Sequence, residues 1–527
     1  MKKEIGNVDA VPSKRLYLSI IADYGLNLAV SELIDNALDI WDKNGRQGDL
    51  IVKVSLDTIQ QNIEIIDNAG GVQKDVLKVL VGPGQTGNSP LSESIGIFGV
   101  GTKRAVVALA QDIAIATRYQ KQPTYQIEFD DKWLNTEDWE LPFYQVDNIE
   151  EGTTEIHLQR LRTHISDNDI DMLRDHLGAV YARFLNDPCV NISVNSQKVT
   201  PRLFENWAYP PGFQPRRYKG KLDSLGGEGE VRVDVLAGLS KESSPATGEY
   251  GVYFYCNDRL VARAVKDYEV GFAKGLAGLP HPSASLARVI VSLNGPAQLM
   301  PWNSSKSGIN YNSQTFVALR GFLGQVTKDY VSLSRRLEGQ WDEQVFQYED
   351  GDIKDVVIAD LPNAKKSYLP PLPVSKLRYG ERVAQLNRTV AKEKPWTIGL
   401  YEGMAAVNLI GRQKLQQRNR FALILLASTL EIGFKDYLVN ESGHHYTERE
   451  LLTIFESMHK VREEVKKYVP ASTIPDGTWG LVEYYQNIRN KLTHERASVS
   501  LADEQITAYQ GIVQEILWKL FGLQFED

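Results

Sequence analysis

The first 200 residues alternate between apolar residues at helical spacing and short apolar runs. Residues 26–41 have the helical spacing, while residues 50–56 and 63–67 read as two strands around a polar turn. A second set of elements follows: strands at 113–119, 125–129 and 154–158, with helices at 103–110 and 169–185. Helices and strands mixed in this order predict an α+β fold in layers, here over residues 1–198.

The pattern changes twice after residue 198. Residues 199–336 predict a second α/β domain, with strands at 229–236, 251–255 and 288–293 and a helix at 313–333. Residues 337–396 predict a linker, because they contain an acidic stretch and the run Leu-Pro-Pro-Leu-Pro. From residue 397 onward the pattern is purely helical, with helices expected at 418–439, 448–468, 478–492 and 501–520.

Composition narrows the class of protein. Of 527 residues, 42% are hydrophobic and 24% charged, which excludes a disordered, collagen-like or coiled-coil chain. The net charge of −8 leaves no overall basic field, so any nucleic acid must bind a local patch. Two cysteines cannot form a disulfide framework. The most apolar run, residues 421–430, is half the ~20 residues of a membrane span, and no signal peptide is visible. We therefore expect a cytoplasmic protein.

Residues 32–39, ELIDNALD, place polar side chains near one face of the first predicted helix. Glu32, Asn36 and Asp39 are separated by four and three residues. Such a stripe is usually a solvated face, but the apolar residues between them would bury most of the remaining surface. An Asn amide oxygen suits Mg²⁺ and a Glu suits the activation of water, so this helix is a candidate catalytic element.

Two glycine-containing motifs follow. Asp67 ends a predicted strand and is followed by Asn-Ala-Gly-Gly, where a β-turn is the simpler interpretation and close approach of a ligand to the backbone is the functional one. Residues 96–103, GIFGVGTK, open a predicted helix after a loop with six glycines between residues 82 and 101. Backbone N–H groups at a helix N-terminus bind anions, and long loops inside compact domains are usually functional.

Taken together, ELIDNALD, DNAGGV, IGIFGVGTK and the later EGTT at 151–154 resemble the boxes of the GHKL ATPases, most closely the MORC branch, in order and spacing. The resemblance implies a Bergerat α/β sandwich that binds ATP and Mg²⁺, with residues 82–101 as a lid. It implies that Glu32 activates water, Asn36 holds Mg²⁺, and Asp67, supported by Thr153, binds the adenine amino group. Further contacts to the nucleotide are expected from the remaining motif residues, Asp39, Gly71, Gly96, Gly99, Val100, Gly101, Thr102 and Lys103. The family usually has Gly where this chain has Ala69.

The resemblance continues into the second domain. Residues 255–261, YCNDRLV, look like the transducer strand of MORC and MutL proteins, and residues 300–306, MPWNSSK, resemble their lysine loop. In that family the lysine reaches the γ-phosphate, which implies the same role for Lys306, whereas an unrelated surface lysine would be solvated. The family further implies ATP-driven dimerisation.

The helical end carries Arg489-Asn490-Lys-Leu-Thr-His494. This string, within the all-helical region that begins at residue 397, resembles the R-N-x-x-x-H signature of HEPN ribonucleases. The resemblance implies metal-independent catalysis by Arg489, Asn490 and His494. Arg can bind a phosphodiester and His can transfer a proton. Five residues on an ideal helix turn about 140°, so one motif alone need not form a compact site and a dimer would unite two. A basic cluster at Arg412, Lys414, Arg418 and Arg420 could contact RNA, or could be a solvated helix face.

The combined prediction is a GHKL ATPase that controls a HEPN endoribonuclease, in an architecture that resembles bacterial anti-phage and abortive-infection proteins. The expected partners are ATP, RNA, a DNA or phage-derived trigger, and a second copy of the chain in a homodimer or higher homo-oligomer, with no membrane. The alternative is an ATP-gated, DNA-associated clamp of MORC or MutL type with an inert helical dimerisation domain. A chaperone of the heat-shock type is a third reading, against which the helical end argues.

Overall fold

A computed structural model describes residues 5, 14, 24–82, 89–96, 99, 101–223, 229–242, 248–347, 353–373, 379–494 and 500–525. The chain forms two compact units, Met1–Val374 and Ser375–Asp527. The first unit combines two mixed sheets with helices, and the second is helical. The α+β character of the N-terminal part and the helical character of the C-terminal part agree with the prediction.

The first sheet has eight strands in the order β5-β4-β3-β6-β2-β1-β7-β8. Neighbouring strands are antiparallel except β1 and β7, which are parallel. Strand β1 alternates buried and exposed residues, which is typical of a sheet covered on one face. The strands are β1 Leu50–Asp57, β2 Asn62–Asp67, β3 Ala110–Thr117, β4 Thr124–Asp130, β5 Phe143–Val146, β6 Thr154–Leu161, β7 Val190–Val194 and β8 Gln197–Lys198.

Helices cover one face of the first sheet. The longest is α1, Leu26–Lys43, which packs on α3, on α5 and on β1. The helices of this region are α1, α2 Lys78–Val81, α3 Gly101–Leu109, α4 Asp131–Leu134, α5 Asp167–Val180 and α6 Ala182–Leu185. Because α1 lies between the sheet and its helical neighbours, even its polar residues Glu32, Asp35 and Asp39 are buried.

The second sheet has seven strands, with the path β13-β12-β14-β11-β10-β15 and β9 paired to β11. All six residues of β12 are buried, so this strand is covered on both faces. Helix α7, Gln314–Arg336, packs on β14 and β11 and is capped by the Ser313 hydroxyl, which accepts from Phe316 N. The strands are β9 Trp207–Ala208, β10 Arg216–Leu222, β11 Val231–Ser240, β12 Gly251–Cys256, β13 Arg259–Val265, β14 Ala287–Asn294 and β15 Lys354–Val357.

The predicted linker 337–396 differs from the structure. Helix α8, Trp341–Gln344, strand β15 and helix α9, Tyr379–Glu393, all lie inside it, and β15 pairs in parallel with β10 through Arg216 to Lys219. The Tyr218 hydroxyl also donates to the Ser367 carbonyl. Residues 353–373 therefore belong to the first unit, because strand pairing provides hydrogen bonds that apolar spacing does not reveal.

The second unit contains seven helices among its described residues. They are α9 Tyr379–Glu393, α10 Leu400–Gly411, α11 Arg418–Asn440, α12 Glu448–Phe455, α13 Met458–Tyr468, α14 Asp476–His494 and α15 Asp503–Phe521. Helix α11 is central, since it contacts α10, α13, α14 and α15. The single helix expected at 448–468 is divided, because the Ser457 side chain caps α13 by accepting from Lys460 N. Among the described helices, none combines the length and apolarity needed to cross a bilayer.

Candidate functional site

Helix α1 carries four polar side chains of the ELIDNALD motif. Its apolar residues Leu33, Ile34, Ala37 and Leu38 are buried in the main core cluster, which fixes the rotation of the helix. Glu32 and Asp35 are 3% and 0% exposed. Two carboxylates placed this deep must be paired or protonated, so their partners decide the chemistry of the site.

A buried ionic cluster surrounds Glu32 and Asp35. Lys306 Nζ donates to Glu32 Oε2 at 2.7 Å and to Asp35 Oδ2 at 2.9 Å. Arg259, at the start of β13, donates from Nε to Asp35 Oδ1 at 2.8 Å. The Tyr181 hydroxyl donates to the same oxygen at 2.7 Å. Two acidic and two basic side chains thus balance in charge, although they come from segments more than 200 residues apart.

The cluster divides the two carboxylates into different electrostatic states. Burial opposes ionisation of Asp35, but the charges of Arg259 and Lys306 outweigh it and lower its pKa below the usual value. Burial raises the pKa of Glu32, and Lys306 only partly offsets this effect. Glu32 Oε1 is buried and accepts no hydrogen bond from any described residue. Glu32 is therefore the carboxylate with basicity and an open acceptor, as a general base requires.

The amide group of Asn36 is oriented by two hydrogen bonds. Its amide nitrogen donates to the Glu32 carbonyl at 2.7 Å and to Thr102 Oγ1 at 2.8 Å. Both amide hydrogens are used, so the amide oxygen is the atom left for a cation. No group of three or more His, Cys, Asp or Glu among the described residues could hold a metal ion.

Asp39, predicted to contact the nucleotide, holds part of the predicted lid. Its two carboxylate oxygens accept from Ile95 N at 2.8 Å and Gly96 N at 2.7 Å. Burial nevertheless raises the pKa of Asp39 to about 6. The side chain therefore shapes the backbone around Gly96, and its contact with nucleotide stays a prediction.

Asp67 lies at the end of β2 and is buried. Its Oδ1 accepts from Ala69 N at 3.0 Å, while burial raises the pKa of the carboxyl to about 6. In the pairing of β2 with β6, the residue opposite Asp67 is Thr154. Thr153, which was predicted to support Asp67, is buried and precedes Thr154 in the chain. Ala69 does not have a positive φ, so the alanine is accommodated where the family usually has glycine.

Two glycines of the motifs are required by close approach. A Cβ on Gly71, whose φ is +67°, would lie 2.1 Å from the Arg118 carbonyl oxygen. A Cβ on Gly101 would lie 2.2 Å from Glu32 Oε2. The absence of a side chain at Gly101, which opens α3, therefore lets the Glu32 carboxylate lie directly against the backbone of this helix.

The other residues of the glycine motif lie at the start of α3. Lys103 is buried, donates to the Gly99 carbonyl at 2.8 Å, and has a pKa that burial lowers to about 8. Thr102 contacts Asn36 as described above. Val100 lies outside the described residues, as do 83–88, 97 and 98 of the predicted lid.

The described arm of the lid is attached to the second sheet. Ala297 N donates to the Ser92 carbonyl at 2.8 Å. Asn257, which follows β12, donates to the Ser94 carbonyl at 3.3 Å and to the Gly295 carbonyl at 3.1 Å. The segment before Gly96 is thus held by the region that carries Arg259 and Lys306.

In the helical unit, the predicted motif lies at the end of α14. Arg489 and Asn490 are half-buried, and Arg489 Nη1 donates to Asn490 Oδ1 at 3.1 Å. His494 is the exposed last residue of the helix. Arg420 of α11 donates to the Leu492 carbonyl at 2.8 Å, which brings one residue of the predicted basic cluster to this helix end.

The sequence analysis missed Asp35, Arg259 and Tyr181 as parts of the first site. Asp35 stands inside the ELIDNALD motif and Arg259 inside the transducer-like strand, so charged residues within otherwise apolar runs were the available signal. Tyr181 gave no such signal, because a tyrosine in a helix is usually part of a core.

Comparison with known proteins agrees with the first site. No curated protein matches the chain. Residues 24–163, which contain α1, Asp67 and the glycine motif, match the family model of histidine kinase-, DNA gyrase B- and HSP90-like ATPases. This part of the chain is therefore similar to GHKL ATPases, and the similarity supports ATP binding and hydrolysis.

Proposed function

We propose that the first unit hydrolyses ATP and that this reaction controls an endoribonuclease in the helical unit. The observation that carries the first half is the Glu32 carboxylate, which has one oxygen bound by Lys306 and the other buried and open. A base with a raised pKa, next to a lysine that can compensate phosphate charge, is the arrangement required for water attack on a phosphoryl group.

Six of the motif residues have a role in this proposal. Asp67 accepts a hydrogen bond from the adenine amino group, and the N–H groups of Gly99 and Gly101 donate to phosphate oxygens. Asn36 supplies its amide oxygen to Mg²⁺, and the bound ion would neutralise phosphate charge. Lys306 stabilises the negative charge that develops on the γ-phosphate, while Glu32 takes the proton of the attacking water.

For the helical unit we propose a HEPN-type, metal-independent ribonuclease site. Arg489 would bind the scissile phosphodiester, Asn490 orients the Arg489 guanidinium at 3.1 Å, and His494 would transfer a proton. Arg489 and His494 leave the helix in directions about 140° apart, so a complete site would combine the α14 helices of two chains. A role in defence against phage, triggered by DNA or a phage component, rests on the resemblance of this domain combination alone.

The test is RNA cleavage by the purified full-length chain with and without Mg·ATP. Wild type is compared with Glu32→Gln and with His494→Ala, and phosphate release is measured in parallel. The proposal requires that cleavage disappears in His494→Ala and changes with ATP in wild type but not in Glu32→Gln. Cleavage that persists in His494→Ala would exclude the helical motif as the nuclease.

An ATP-gated, DNA-associated clamp is the second candidate. It requires no catalysis by Arg489 and His494, which on one helix end do not form a compact nuclease site by themselves. A clamp predicts DNA binding that strengthens with a non-hydrolysable ATP analogue and is unchanged in Arg489→Ala. Retention of circular, but not linear, DNA after a high-salt wash would distinguish it from the ribonuclease.

A further inference from the structure

Arg259 joins two other members of the buried ionic cluster. It contacts the side chain of one, Asp35, and the main chain of the other, Lys306. Its Nε donates to Asp35 Oδ1 at 2.8 Å, and its Nη1 donates to the Lys306 main-chain carbonyl at 2.7 Å. The guanidinium is 2% exposed. Because its planar fork fixes two acceptors at once, Arg259 determines where the lysine loop lies relative to α1.

The lysine loop needs such support. Lys306 has a φ of +51°, in the left-handed region that a side chain disfavours. Its N–H donates to the Asn303 carbonyl at 3.0 Å, so it ends a tight turn. A residue in this conformation persists only where its surroundings hold it, and Arg259 provides the contact from the neighbouring strand.

The two acidic partners of Lys306 are held unequally. Asp35 has both oxygens engaged, by Arg259 and Tyr181 on Oδ1 and by Lys306 on Oδ2. Glu32 is engaged on Oε2 only, by Lys306. Loss of the Lys306–Asp35 contact would disturb the whole cluster, whereas loss of the Lys306–Glu32 contact would release Glu32 alone.

We propose that Arg259, acting through Asp35, is the positioning residue for Lys306, and that Lys306 turns about Asp35 to exchange Glu32 for the γ-phosphate of ATP. This inference rests on the proposed hydrolysis of ATP. In the structure Lys306 occupies the base, and after the exchange Glu32 is free to accept the proton of water. Asp35 stays paired with Arg259 throughout, so the exchange leaves only Glu32 without a cation, and this loss raises its basicity.

The test separates positioning from support of the fold by restoring charge balance. Arg259→Gln leaves Asp35 with one cation fewer, while Asp35→Asn/Arg259→Gln removes one charge of each sign. Thermal unfolding, binding of a non-hydrolysable ATP analogue, kcat and KM are measured for wild type, both variants and Arg288→Gln. Arg288 is a matched control, since it is a buried arginine of the same sheet that binds the Phe204 carbonyl and Asn206.

We expect Arg259→Gln to lose both stability and turnover. The double variant should recover thermal stability and analogue binding, while its kcat stays about 100-fold below wild type, the loss typical of a group misplaced by about 1 Å. Its KM should remain within about threefold of wild type, because the removed interaction acts after binding. Arg288→Gln should lower stability without lowering kcat in the folded protein.

The pH dependence provides a readout that a purely structural role would not move. Glu32 is faced by Lys306 from the loop, Asp35 from α1, Arg259 from β13 and the phenol of Tyr24; Asp35 is in turn faced by Tyr181 and His176. Arg259 lowers the pKa of Glu32, so Arg259→Gln should move the acid limb of kcat to higher pH. The double variant should move it back to the wild-type position or below, since the charge of Asp35 raises the pKa of Glu32 more than the charge of Arg259 lowers it.

A double variant that regains the wild-type kcat together with its stability would overturn the inference, as would an acid limb that does not move in Arg259→Gln. Failure of the proposed function has a different signature. If the folded wild-type chain hydrolyses no ATP, or if Glu32→Gln hydrolyses it as fast as wild type, the ATPase assignment fails and the inference falls with it.

Discussion

The two candidate sites of this chain are built in opposite ways. Around Glu32, the partners come from segments as far apart as 274 residues, are almost fully buried and balance in charge. Around Arg489, the contacts run to the next residue and to the neighbouring turn of one helix, and His494 is exposed. A site assembled from remote segments is fixed by folding, whereas a site on one helix end needs a ligand or a second chain to become complete.

The largest expected effect is on ATP turnover. Glu32→Gln removes the proposed general base but keeps the shape of the side chain, so hydrolysis should fall about 100- to 10,000-fold. Binding of a non-hydrolysable ATP analogue should remain measurable by calorimetry. Lys103→Gln is a useful comparison, because it perturbs the start of α3 without removing the base. Turnover within threefold of wild type in Glu32→Gln would remove Glu32 from the mechanism.

The second expected difference is in how much substitutions at each site lower the free energy of unfolding. Asp35→Ala leaves Arg259 and Lys306 buried with too little negative charge, a change that typically costs about 3–5 kcal/mol. Arg489→Gln changes a half-buried side chain with local contacts and should cost about 1 kcal/mol or less. Hydrogen exchange of the full chain reports α1 and α14 separately. If the two variants lost protection equally, each in its own helix, the two sites would not differ in how much they contribute to stability.

The pH dependence of ATP binding gives a third comparison. Burial raises the pKa of Asp67 to about 6 in the folded chain, above its ordinary value of 3.8. As the pH falls through 6, Asp67 takes up a proton, no longer offers two acceptor oxygens, and should bind adenine more weakly. Calorimetry with an ATP analogue between pH 5 and pH 8, roughly, should therefore show affinity falling toward acid.

The same shift predicts a gain in stability for Asp67→Asn. A carboxyl whose folded pKa lies above its unfolded pKa opposes folding fully above the higher value, and the penalty disappears below the lower one. Asp67→Asn should thus stabilise the ligand-free chain by about 1–3 kcal/mol near neutral pH and not below about pH 4. Asp39→Asn is the control, because burial also raises the Asp39 pKa to about 6 but two backbone N–H groups need its charge. A neutral-pH gain confined to Asp39→Asn would contradict the assignment.

The smallest effect should come from Arg420. Its contact with the Leu492 carbonyl lies at the end of α14, close in sequence to His494, but the side chain is exposed. Arg420→Gln should lower stability by no more than about 1 kcal/mol and reduce RNA cleavage several-fold at low salt, less so at high salt. Cleavage that is lost completely would instead place Arg420 in the catalytic machinery.

Local patterns predicted eight of the fifteen strands among the described residues, and several of the missed elements have identifiable causes. Strand β13 begins with Arg259, whose buried charge is satisfied by two remote groups, the Asp35 carboxylate and the Lys306 carbonyl. Strand β15 was assigned to a linker, because edge strands with exposed residues lack the alternation that marks a half-buried strand. Helices α12 and α13 were joined, since the Ser457 cap interrupts the backbone without interrupting the apolar spacing.

The sequence by itself determined the motifs: a helix with Glu32 and Asn36 on one face, Asp67 at a strand end, glycines before α3, and the Arg489–His494 string on a late helix. These features depend on neighbours a few residues away, and their spacing is visible in the chain. The tertiary structure decided that Lys306 lies on Glu32, that Arg259 neutralises Asp35, and that Glu32 keeps one open oxygen. Which charges meet in a buried space depends on how distant strands and loops pack, because burial makes every unpaired charge costly and leaves few arrangements in which all are paired.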